Sequence, residues 1–333
     1  MKRNVKIIGS GSYLPKRIVS SDELDEMLNM PLGSCYKLSG VKNRYWVSDE
    51  TVSEMAKIAS LEALKQAGFS ANDLDLIVST SGAPEQIIPN NSSLIQEKLN
   101  LQNTGIPCLD INTTCLSFVT GLDVISYLIH SKAYSRVLLV SSDISSKGLN
   151  KHRSEEFANF GDGAAAFVLT YSEDESGITS SLQETYSEGV HYNEIIGGGS
   201  LLPSYNLSSA GEDKFLFKMN GKQSFKLVRK KMIGFVNRAC SKENKTFRQC
   251  VEECTLVIPH QASAKSLKLI RLLLDVPVSK WVNEIDEYGN MISVSIPFLF
   301  DKYIREGKLK RGDKYIIIAT GAGLSLGFIK GVY

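Results

Sequence analysis

The feature that most constrains the fold is an order of elements that occurs twice along the chain. Residues 108–118, CLDINTTCLSF, read as an apolar strand, a polar turn and a helix start, and residues 254–267, CTLVIPHQASAKSL, read the same way. Each stretch is followed by an apolar strand and then by a strand rich in glycine and alanine. Two related halves of this kind bring their polar turns to one crevice. We therefore expect Cys115 and His260 to meet.

Short apolar runs alternate with amphipathic segments, which predicts an α/β protein with largely buried sheets. Strands are predicted at 74–80, 136–142, 164–170, 254–260 and 314–320, and helices at 52–68, 92–101, 264–274 and 295–307. The polar region 171–250 is predicted to form loops and helices. We assign 1–172 to an N-terminal half and 173–333 to a C-terminal half, packed intimately together.

Composition excludes several classes of function. The chain has 333 residues, of which 43% are hydrophobic and 22% charged, which fits a soluble globular protein. A net charge of +2 creates no global field for nucleic acid or an anionic membrane. The N-terminal apolar run is too short for a signal peptide, and no stretch approaches the roughly 20 apolar residues of a membrane span. We expect a cytoplasmic protein without nucleic-acid or membrane partners.

The six cysteines do not indicate a metal site or a disulfide framework. They stand at 35, 108, 115, 240, 250 and 254, with no CxxC pair. Cys250 and Cys254 are four residues apart, but no neighbouring histidine or cysteine completes a zinc set. We therefore expect free thiols in a reducing compartment and no bound metal.

Cys115 has two interpretations. It follows a predicted strand and precedes a helix, so that helix N-terminal N–H groups would favour its thiolate, which is the nucleophilic form. The alternative is a small buried cysteine without reactivity, which is common.

His260 and Asn290 are each ambiguous alone. His260 emerges from the end of a buried strand, where it could equally be a hydrogen-bonded turn residue. Asn290 follows a glycine and is an ordinary turn or N-cap residue. Together with Cys115 they supply a nucleophile and two hydrogen-bonding groups. A papain-like protease has the same order, but its flanking motif and N-terminal cysteine are absent.

Five motifs together carry a resemblance to a known family: DINTTCLSF, NFGDGAAAFVL, VIPHQAS, EYGNMISVSIP and ATGAGLSLG. In this order they resemble 3-oxoacyl-[acyl-carrier-protein] synthase III, a family of thiolase-fold condensing enzymes. The similarity runs from IIGSGSYLP near the N-terminus to the C-terminus. It implies a five-layered α-β-α-β-α fold built from two pseudo-repeated halves, and a homodimer.

The resemblance implies a two-step reaction. Cys115 would take an acyl group from a thioester primer. A malonyl thioester would then lose carbon dioxide while His260 and Asn290 bind the enolate oxygen, and its carbon would attack the acyl group. Backbone N–H groups of Cys115 and Ala322 would form the oxyanion hole. No cofactor is implied beyond CoA or carrier-protein thioesters.

Other positions are assigned by the same resemblance. Basic residues at positions like Lys226 and Lys265 dock the acyl carrier protein, although a solvated helix face is the plainer interpretation. Family phenylalanines of the primer pocket are replaced by Thr320 and by Ile88, the latter a residue contributed from the partner subunit.

The resemblance also assigns an adenine clamp, a tryptophan and an arginine, to positions where this chain has Ser34 and Leu38. A longer or branched acyl group, or one delivered on a carrier protein, therefore fits better than acetyl-CoA. Both fatty-acid initiation and specialised ketide biosynthesis are compatible with these residues.

Two alternatives stay open at this point. The protein could transfer the acyl group from Cys115 to another nucleophile or to water without condensation. It could also be a non-catalytic partner subunit that resembles a condensing enzyme, although such a subunit has no need of a reactive thiol.

Overall fold

The structure is a computed structural model that describes residues 2–333. The strands are β1 (Val5–Tyr13), β2 (Arg17–Ser20), β3 (Asn43–Trp46), β4 (Leu76–Ser79), β5 (Cys108–Asp110), β6 (Val137–Asp143), β7 (Gly163–Tyr171), β8 (Gly177–Thr185), β9 (Asn193–Glu194), β10 (Lys218–Met219), β11 (Leu256–Pro259), β12 (Lys314–Gly321) and β13 (Ser325–Val332).

The helices are α1 (Ser21–Met27), α2 (Ser34–Ser39), α3 (Val52–Ala67), α4 (Asn91–Lys98), α5 (Ser117–His130), α6 (Ser154–Phe157), α7 (Leu207–Ala210), α8 (Gly221–Ser241), α9 (Phe247–Glu253), α10 (Ala264–Leu273), α11 (Ile285–Tyr288) and α12 (Ser295–Arg305). Among residues 2–333, none of these helices combines the length and apolar character needed to cross a membrane.

Local sequence defines the ends of the helices. At the start of α3, the Thr51 side chain accepts from the Glu54 N–H while the Glu54 carboxylate accepts from the Thr51 N–H, which is a capping box. At its other end Gly68 has a φ of 72°, a conformation that glycine adopts without steric cost. A residue directly outside the helix, Thr51 at one end and Gly68 at the other, therefore takes part in defining each end.

Two sheets share one strand order. The first has the order β1-β7-β6-β4-β5, and the second has the order β8-β13-β12-β11. In each, the third and fourth strands of this order are parallel, whereas the earlier neighbours are antiparallel. A parallel bridge between Val257 and Trp281 extends the second sheet where β5 extends the first. The chain therefore contains two copies of one strand arrangement, one in each sheet.

Successive side chains along the central strands point alternately into two different hydrophobic cores, which shows that each sheet lies between two layers of helices. In β6, Val137 and Leu139 join the core that contains α5 and α12, whereas Leu138 and Val140 face α3 and α4. Strands β11 to β13 likewise divide their side chains between that central core and a cluster with α8, α9 and α10. Helices, sheet, helices, sheet and helices make the five-layered thiolase-like architecture predicted from the sequence.

Most predicted elements are confirmed, with two corrections to their extent. The polar region 171–250 was expected to lack strands, but it contains β8, which pairs with β13 along its whole length. Only Ile178 and Leu182 are large apolar residues in β8, so the alternation that marks a strand is weak there. The helix expected over 92–101 ends earlier, at Lys98, because Asn100 adopts a positive φ of 60°.

The internal repeat itself needs a correction of register. By strand order, β5 corresponds to the Trp281 segment, and β4 corresponds to β11. The Cys115 turn therefore matches the Asn290 turn, and not the His260 turn as the sequence suggested. The domain boundary at residues 172 and 173 stays a prediction, since the central core takes residues from both sides of it.

Candidate active site

Cys115 lies in a tight turn between β5 and α5. Thr114, directly before it, has a positive φ of 56°, which is uncommon for a β-branched residue. Asn112 Oδ1 accepts from the Thr114 N–H at 2.9 Å. Ser117 Oγ accepts from the Thr113 N–H at 3.0 Å. These bonds fix the turn and hold Cys115 at the N-terminal end of α5.

His260 directly follows β11 and is tied to the neighbouring strand. Its backbone N–H donates to the Ile318 carbonyl at 2.8 Å. The residue is 6% exposed, and its Nδ1 is buried without a hydrogen-bond partner. Burial lowers the pKa of the imidazole to about 4. His260 is therefore neutral at physiological pH, and Nε2 is the nitrogen that can meet a ligand.

Asn290 lies in a turn between α11 and α12 that is built like the Cys115 turn. Its Oδ1 accepts from the Ile292 N–H at 2.9 Å, and Ile292 has a positive φ of 52°. Ser295 Oγ accepts from the Met291 N–H at 3.0 Å. Asn290 Nδ2 donates to the Ala262 carbonyl at 3.3 Å. An amide nitrogen has two N–H donors, so one remains for a ligand.

These three residues open onto one cavity of about 870 Å³. That volume lies within the range of small-molecule sites, and most of the lining side chains are apolar. Cys115 keeps access to the cavity although protein surrounds it on its other sides. Lys222 and Lys265 are exposed at its edge. The cavity can therefore hold an apolar ligand with a polar or anionic end at the surface.

The end of β12 closes over the Cys115 turn. A Cβ on Gly321 would lie 2.8 Å from Leu116 Cδ1 and 2.9 Å from Thr114 Oγ1, which leaves no room for a side chain. Glycine is required for this approach. The next residue, Ala322, also lines the cavity, so the predicted oxyanion-hole segment lies close to the nucleophile turn.

The comparisons with known proteins agree with this geometry. The family model described as 3-oxoacyl-[acyl-carrier-protein (ACP)] synthase III matches residues 109–187, and the model of its C-terminal part matches residues 250–329. A beta-ketoacyl-[acyl-carrier-protein] synthase III from Clostridium perfringens is 33% identical over 97% of this chain and 98% of its own. The chain belongs to the 3-oxoacyl-[acyl-carrier-protein] synthase III family.

Solved structures of the synthase III family support the assignment. The 3-oxoacyl-[acyl-carrier-protein] synthase III from Aquifex aeolicus superposes with a TM-score of 0.87 at 29% identity, covering 99% of this chain and 100% of that one. The Pseudomonas aeruginosa enzyme gives 0.87 at 26% identity, covering 99% and 98%. A priming beta-ketosynthase of the R1128 polyketide pathway, at 23% identity and 0.87, shares the fold.

The charge state of Cys115 differs from the expectation for this synthase III chain. Burial raises the pKa of the thiol to about 12, and the nearby Asp143 carboxylate adds to the rise. The helix N-terminus was expected to favour the thiolate, but desolvation outweighs it. Cys115 therefore rests as a thiol and needs a proton acceptor when it reacts.

Of the residues predicted for the pocket and for carrier-protein docking, some line the cavity and others lie outside it. Thr320 lines the cavity, as expected for a pocket residue, and Lys265 lies at its edge. Lys226 is exposed on α8 outside the cavity lining, so it can only contact a partner at the surface. Ile88 is 82% exposed and does not line the cavity within one chain. Its assignment to the pocket therefore depends on a second subunit.

Asn159 is a residue of the site that the sequence did not single out. Its backbone carbonyl accepts from the Asn290 N–H at 2.8 Å, and its Nδ2 donates to the Ala262 carbonyl at 2.8 Å. Its Oδ1 is buried without a partner, and the residue lines the cavity. The sequence feature that could have indicated Asn159 is its position directly before the FGDG motif. Its contact with Asn290 joins the two halves of the chain, so no local pattern shows it.

Asp143 is a second residue that the sequence did not indicate. Its Oδ1 accepts from the Gly82 and Ala83 N–H groups at 2.8 and 2.9 Å. Its Oδ2 accepts from the N–H of Ser293 at 3.0 Å and from its hydroxyl. Burial raises the pKa of the Asp143 carboxyl to about 6. It joins a turn of the N-terminal half to a turn of the C-terminal half.

Residues 2–333 contain no group of three or more histidine, cysteine, aspartate or glutamate side chains placed to hold a metal ion.

Proposed function

We propose that the protein catalyses decarboxylative condensation of an acyl thioester primer with a malonyl thioester, giving a 3-oxoacyl thioester. The observation that carries this proposal is that Cys115, His260 and Asn290 converge on one cavity from three separate turns. No organic cofactor takes part, because the acyl groups arrive as thioesters of CoA or of acyl carrier protein.

In the first step the Cys115 sulfur attacks the carbonyl carbon of the primer. The thiol proton passes to the imidazole of His260, which is uncharged at rest and can accept it. Because burial raises the pKa of the thiol and lowers that of the imidazole, this transfer accompanies the attack on the carbonyl and does not precede it. Backbone N–H groups of Cys115 and Ala322 stabilise the tetrahedral oxyanion. The donor's carbon–sulfur bond then breaks, and the proton leaves with the donor thiol.

In the second step the malonyl thioester loses carbon dioxide. The electron pair of the broken carbon–carbon bond moves into an enolate, whose oxygen accepts hydrogen bonds from His260 and Asn290. Donors fixed in place before charge develops act most strongly in a site that excludes water. The enolate carbon attacks the acyl carbonyl, the Cys115 sulfur leaves as a thiolate, and a proton from solvent restores its thiol.

The direct test is intact-protein mass spectrometry after incubation with a panel of acyl-CoA and acyl-carrier-protein thioesters. We expect one acyl adduct that is absent in Cys115→Ala. An adduct that survives this substitution would contradict the assignment of the nucleophile. Absence of an adduct with every donor would favour a non-catalytic partner subunit.

A second candidate function is acyl transfer from Cys115 without condensation. Release of carbon dioxide from carboxyl-labelled malonyl thioester separates the two reactions. Condensation requires release that is coupled one to one with 3-oxoacyl product. Transfer to water or another nucleophile consumes the adduct without any release.

The proposal extends to partners. Acyl carrier protein, an acidic partner, would dock at the exposed cations Lys226 and Lys265, of which Lys265 stands at the cavity edge. Ile88, exposed within one chain, would be covered in a homodimer. Both proposals can be checked by sedimentation of the purified protein and by carrier-protein binding of Lys265→Glu.

A cytoplasmic location completes the proposal. It is supported by six free cysteines, which persist as thiols in a reducing compartment. Whether the product enters fatty-acid initiation or a specialised ketide depends on the primer, which the adduct panel identifies.

A further inference from the structure

The cavity continues past the three central side chains along helix α8. The α8 residues that line it are Gly221, Lys222, Ser224, Phe225, Val228 and Met232, of which Gly221, Phe225, Val228 and Met232 fall on one face of the helix. At about 1.5 Å per residue, Gly221 and Met232 are about 16 Å apart along the axis. The first lies at the start of α8, and the last is only 1% exposed. The cavity therefore reaches from the surface into the core.

The inner part of this cavity, which we call the acyl channel, is lined by six buried apolar side chains: Val228, Met232, Leu267, Ile270, Trp281 and Ile318. All six belong to the hydrophobic cluster between the second sheet and the outer helices α8, α9 and α10. None of the six carries a charge, and the one polar group among them is the Trp281 indole N–H, which is buried without a hydrogen-bond partner. The acyl channel is thus open space inside a hydrophobic core.

The acyl channel is continuous with the nucleophile along β12. Gly321 packs against the Cys115 turn, and Thr320 and Ile318 line the cavity next along the strand. Residues two apart on a strand point to the same face. A chain bound to the Cys115 sulfur can therefore follow Thr320 and Ile318 towards α8. Thr320 is short and leaves this path open.

Physical chemistry restricts what can fill the acyl channel. Space without packing partners in an apolar core reduces stability, and water in it finds few polar partners. The cavity also widens elsewhere, towards Leu38 and Ile195, but those side chains are 47% and 51% exposed. A hydrocarbon chain is removed from water more completely between α8 and α10, so burial favours the acyl channel.

We propose that the acyl channel receives the alkyl chain of the primer, and that the primers are straight medium-chain acyl thioesters, from octanoyl to dodecanoyl, in preference to acetyl. Met232 and Trp281 limit the chain length. This inference rests on the proposed function, because it requires an acyl group on Cys115.

The test measures the rate of adduct formation on the full-length protein with acetyl-, butyryl-, octanoyl-, decanoyl- and palmitoyl-CoA, followed by intact-mass spectrometry. We expect decanoyl to exceed acetyl by at least about tenfold, since each added buried methylene strengthens binding. Val228→Phe and Met232→Trp fill the acyl channel and should lower this decanoyl-to-acetyl ratio at least about tenfold. Met232→Ala should shift the preference to longer chains.

Ile233→Phe is the matched control, because it adds similar bulk to α8 at a residue that is 46% exposed. It should leave the ratio unchanged. A second measurement avoids dependence on how the filled variants fold: calorimetric binding of decanoyl-CoA and acetyl-CoA to Cys115→Ala should show the same preference for decanoyl without any reaction.

Each failure has its own meaning. A wild-type adduct formed mainly from acetyl-CoA would overturn the acyl channel while leaving the proposed function in place. A ratio that Val228→Phe and Met232→Trp leave unchanged would overturn it as well, because the chain would then lie elsewhere. Absence of an adduct from every acyl-CoA and from the corresponding acyl-carrier-protein thioesters would overturn both proposals.

Discussion

Each half contains a turn of the same construction, but the two turns present different side chains. In the N-terminal half the turn from Asn112 to Ser117 holds Cys115, and in the C-terminal half the turn from Asn290 to Ser295 holds Ser293 at the same place. Both turns have an asparagine Oδ1 and a serine Oγ that accept from the turn's own N–H groups, at the same positions. The backbone is therefore shared, and only the side chains differ.

The equivalents of the site residues are satisfied structural groups. Thr80, which follows β4 as His260 follows β11, shares a 2.7 Å hydrogen bond with the Ser141 hydroxyl. Ser293, the equivalent of Cys115, donates to the Asp143 carboxylate. His260, in contrast, has a buried nitrogen without a partner. In the pair of His260 and Thr80, the unsatisfied polar atom therefore belongs to the residue that lines the cavity.

The largest expected effect separates Cys115 from its equivalent. Cys115→Ala should abolish the acyl adduct completely, because no other thiol lines the cavity. Ser293→Ala, which removes the equivalent hydroxyl, should still form the adduct. Intact-mass spectrometry of both variants with the same acyl-CoA measures the difference. An adduct in the first variant, or none in the second, would show that the two turns are not divided in this way.

The second effect concerns the residues that bind the enolate. His260→Ala and Asn290→Ala should lower malonyl decarboxylation by about 10²–10³-fold, the usual loss for one fixed oxyanion donor. Both variants should still accept the acyl group, more slowly for His260→Ala because the thiol proton then passes to water.

Thr80→Ala is the matched control in the other half. It removes a structural hydrogen bond, so it should lower the melting temperature and leave the proportion of decarboxylation to acylation unchanged. Parallel loss of both reactions in Asn290→Ala would contradict its assignment to the second step.

The third effect is on stability at acid pH. Folding lowers the pKa of His260 from 6.5 to about 4, so between these values the unfolded chain binds a proton that the folded chain does not. Stability is therefore lost as pH falls through this range, by about 3 kcal/mol at 1.36 kcal/mol per unit. His260→Gln should lack this loss.

Denaturant unfolding of wild type and His260→Gln at pH 4 and pH 7 measures the difference. Asp143, whose pKa of about 6 lies above its usual 3.8, acts in the opposite direction over nearly the same range. Its contribution is present in both proteins and cancels in the comparison. Equal acid sensitivity of the two proteins would mean that folding does not lower the pKa of His260.

Sequence reasoning singled out three residues in short polar turns that the structure brings to one cavity. Cys115 and His260 lie in turns that follow a strand, whereas Asn290 follows a glycine in a turn between two helices. The layered fold was implied by the resemblance to the synthase III family and agrees with the repeated order of elements. The sequence did not reveal which turn of one half corresponds to which turn of the other, because that correspondence depends on how the strands pair in the fold. The bridge between Val257 and Trp281 that completes the second sheet is a single contact with little local pattern.

Residues that act across the halves were missed for a related reason. Asp143 and Asn159 gain their roles from partners more than 100 positions away, at Ser293 and Ala262. No local pattern encodes such contacts. The pKa of Cys115 was also misjudged, because desolvation depends on packing that only the folded chain supplies.

The smallest expected effect tests whether a residue of the N-terminal half helps to position Asn290, which the C-terminal half provides. Asn159 belongs to the N-terminal half, yet it shares the Ala262 carbonyl with Asn290 and holds the Asn290 backbone. Asn159→Leu removes the side-chain bond, so Asn290 should lose part of its fixed orientation. We expect decarboxylation to fall about tenfold, the equivalent of one hydrogen bond, with acylation nearly unchanged.

Asn159→Asp distinguishes positioning from simple packing. A protonated carboxyl can donate to the Ala262 carbonyl, whereas a carboxylate would face that oxygen with like charge. Decarboxylation by this variant should therefore fall as pH rises through the range in which the new carboxyl ionises, while Asn159→Leu shows no such dependence. A structural role alone would lower both reactions equally at every pH. The dependence would mean that one half positions the amide that the other half provides.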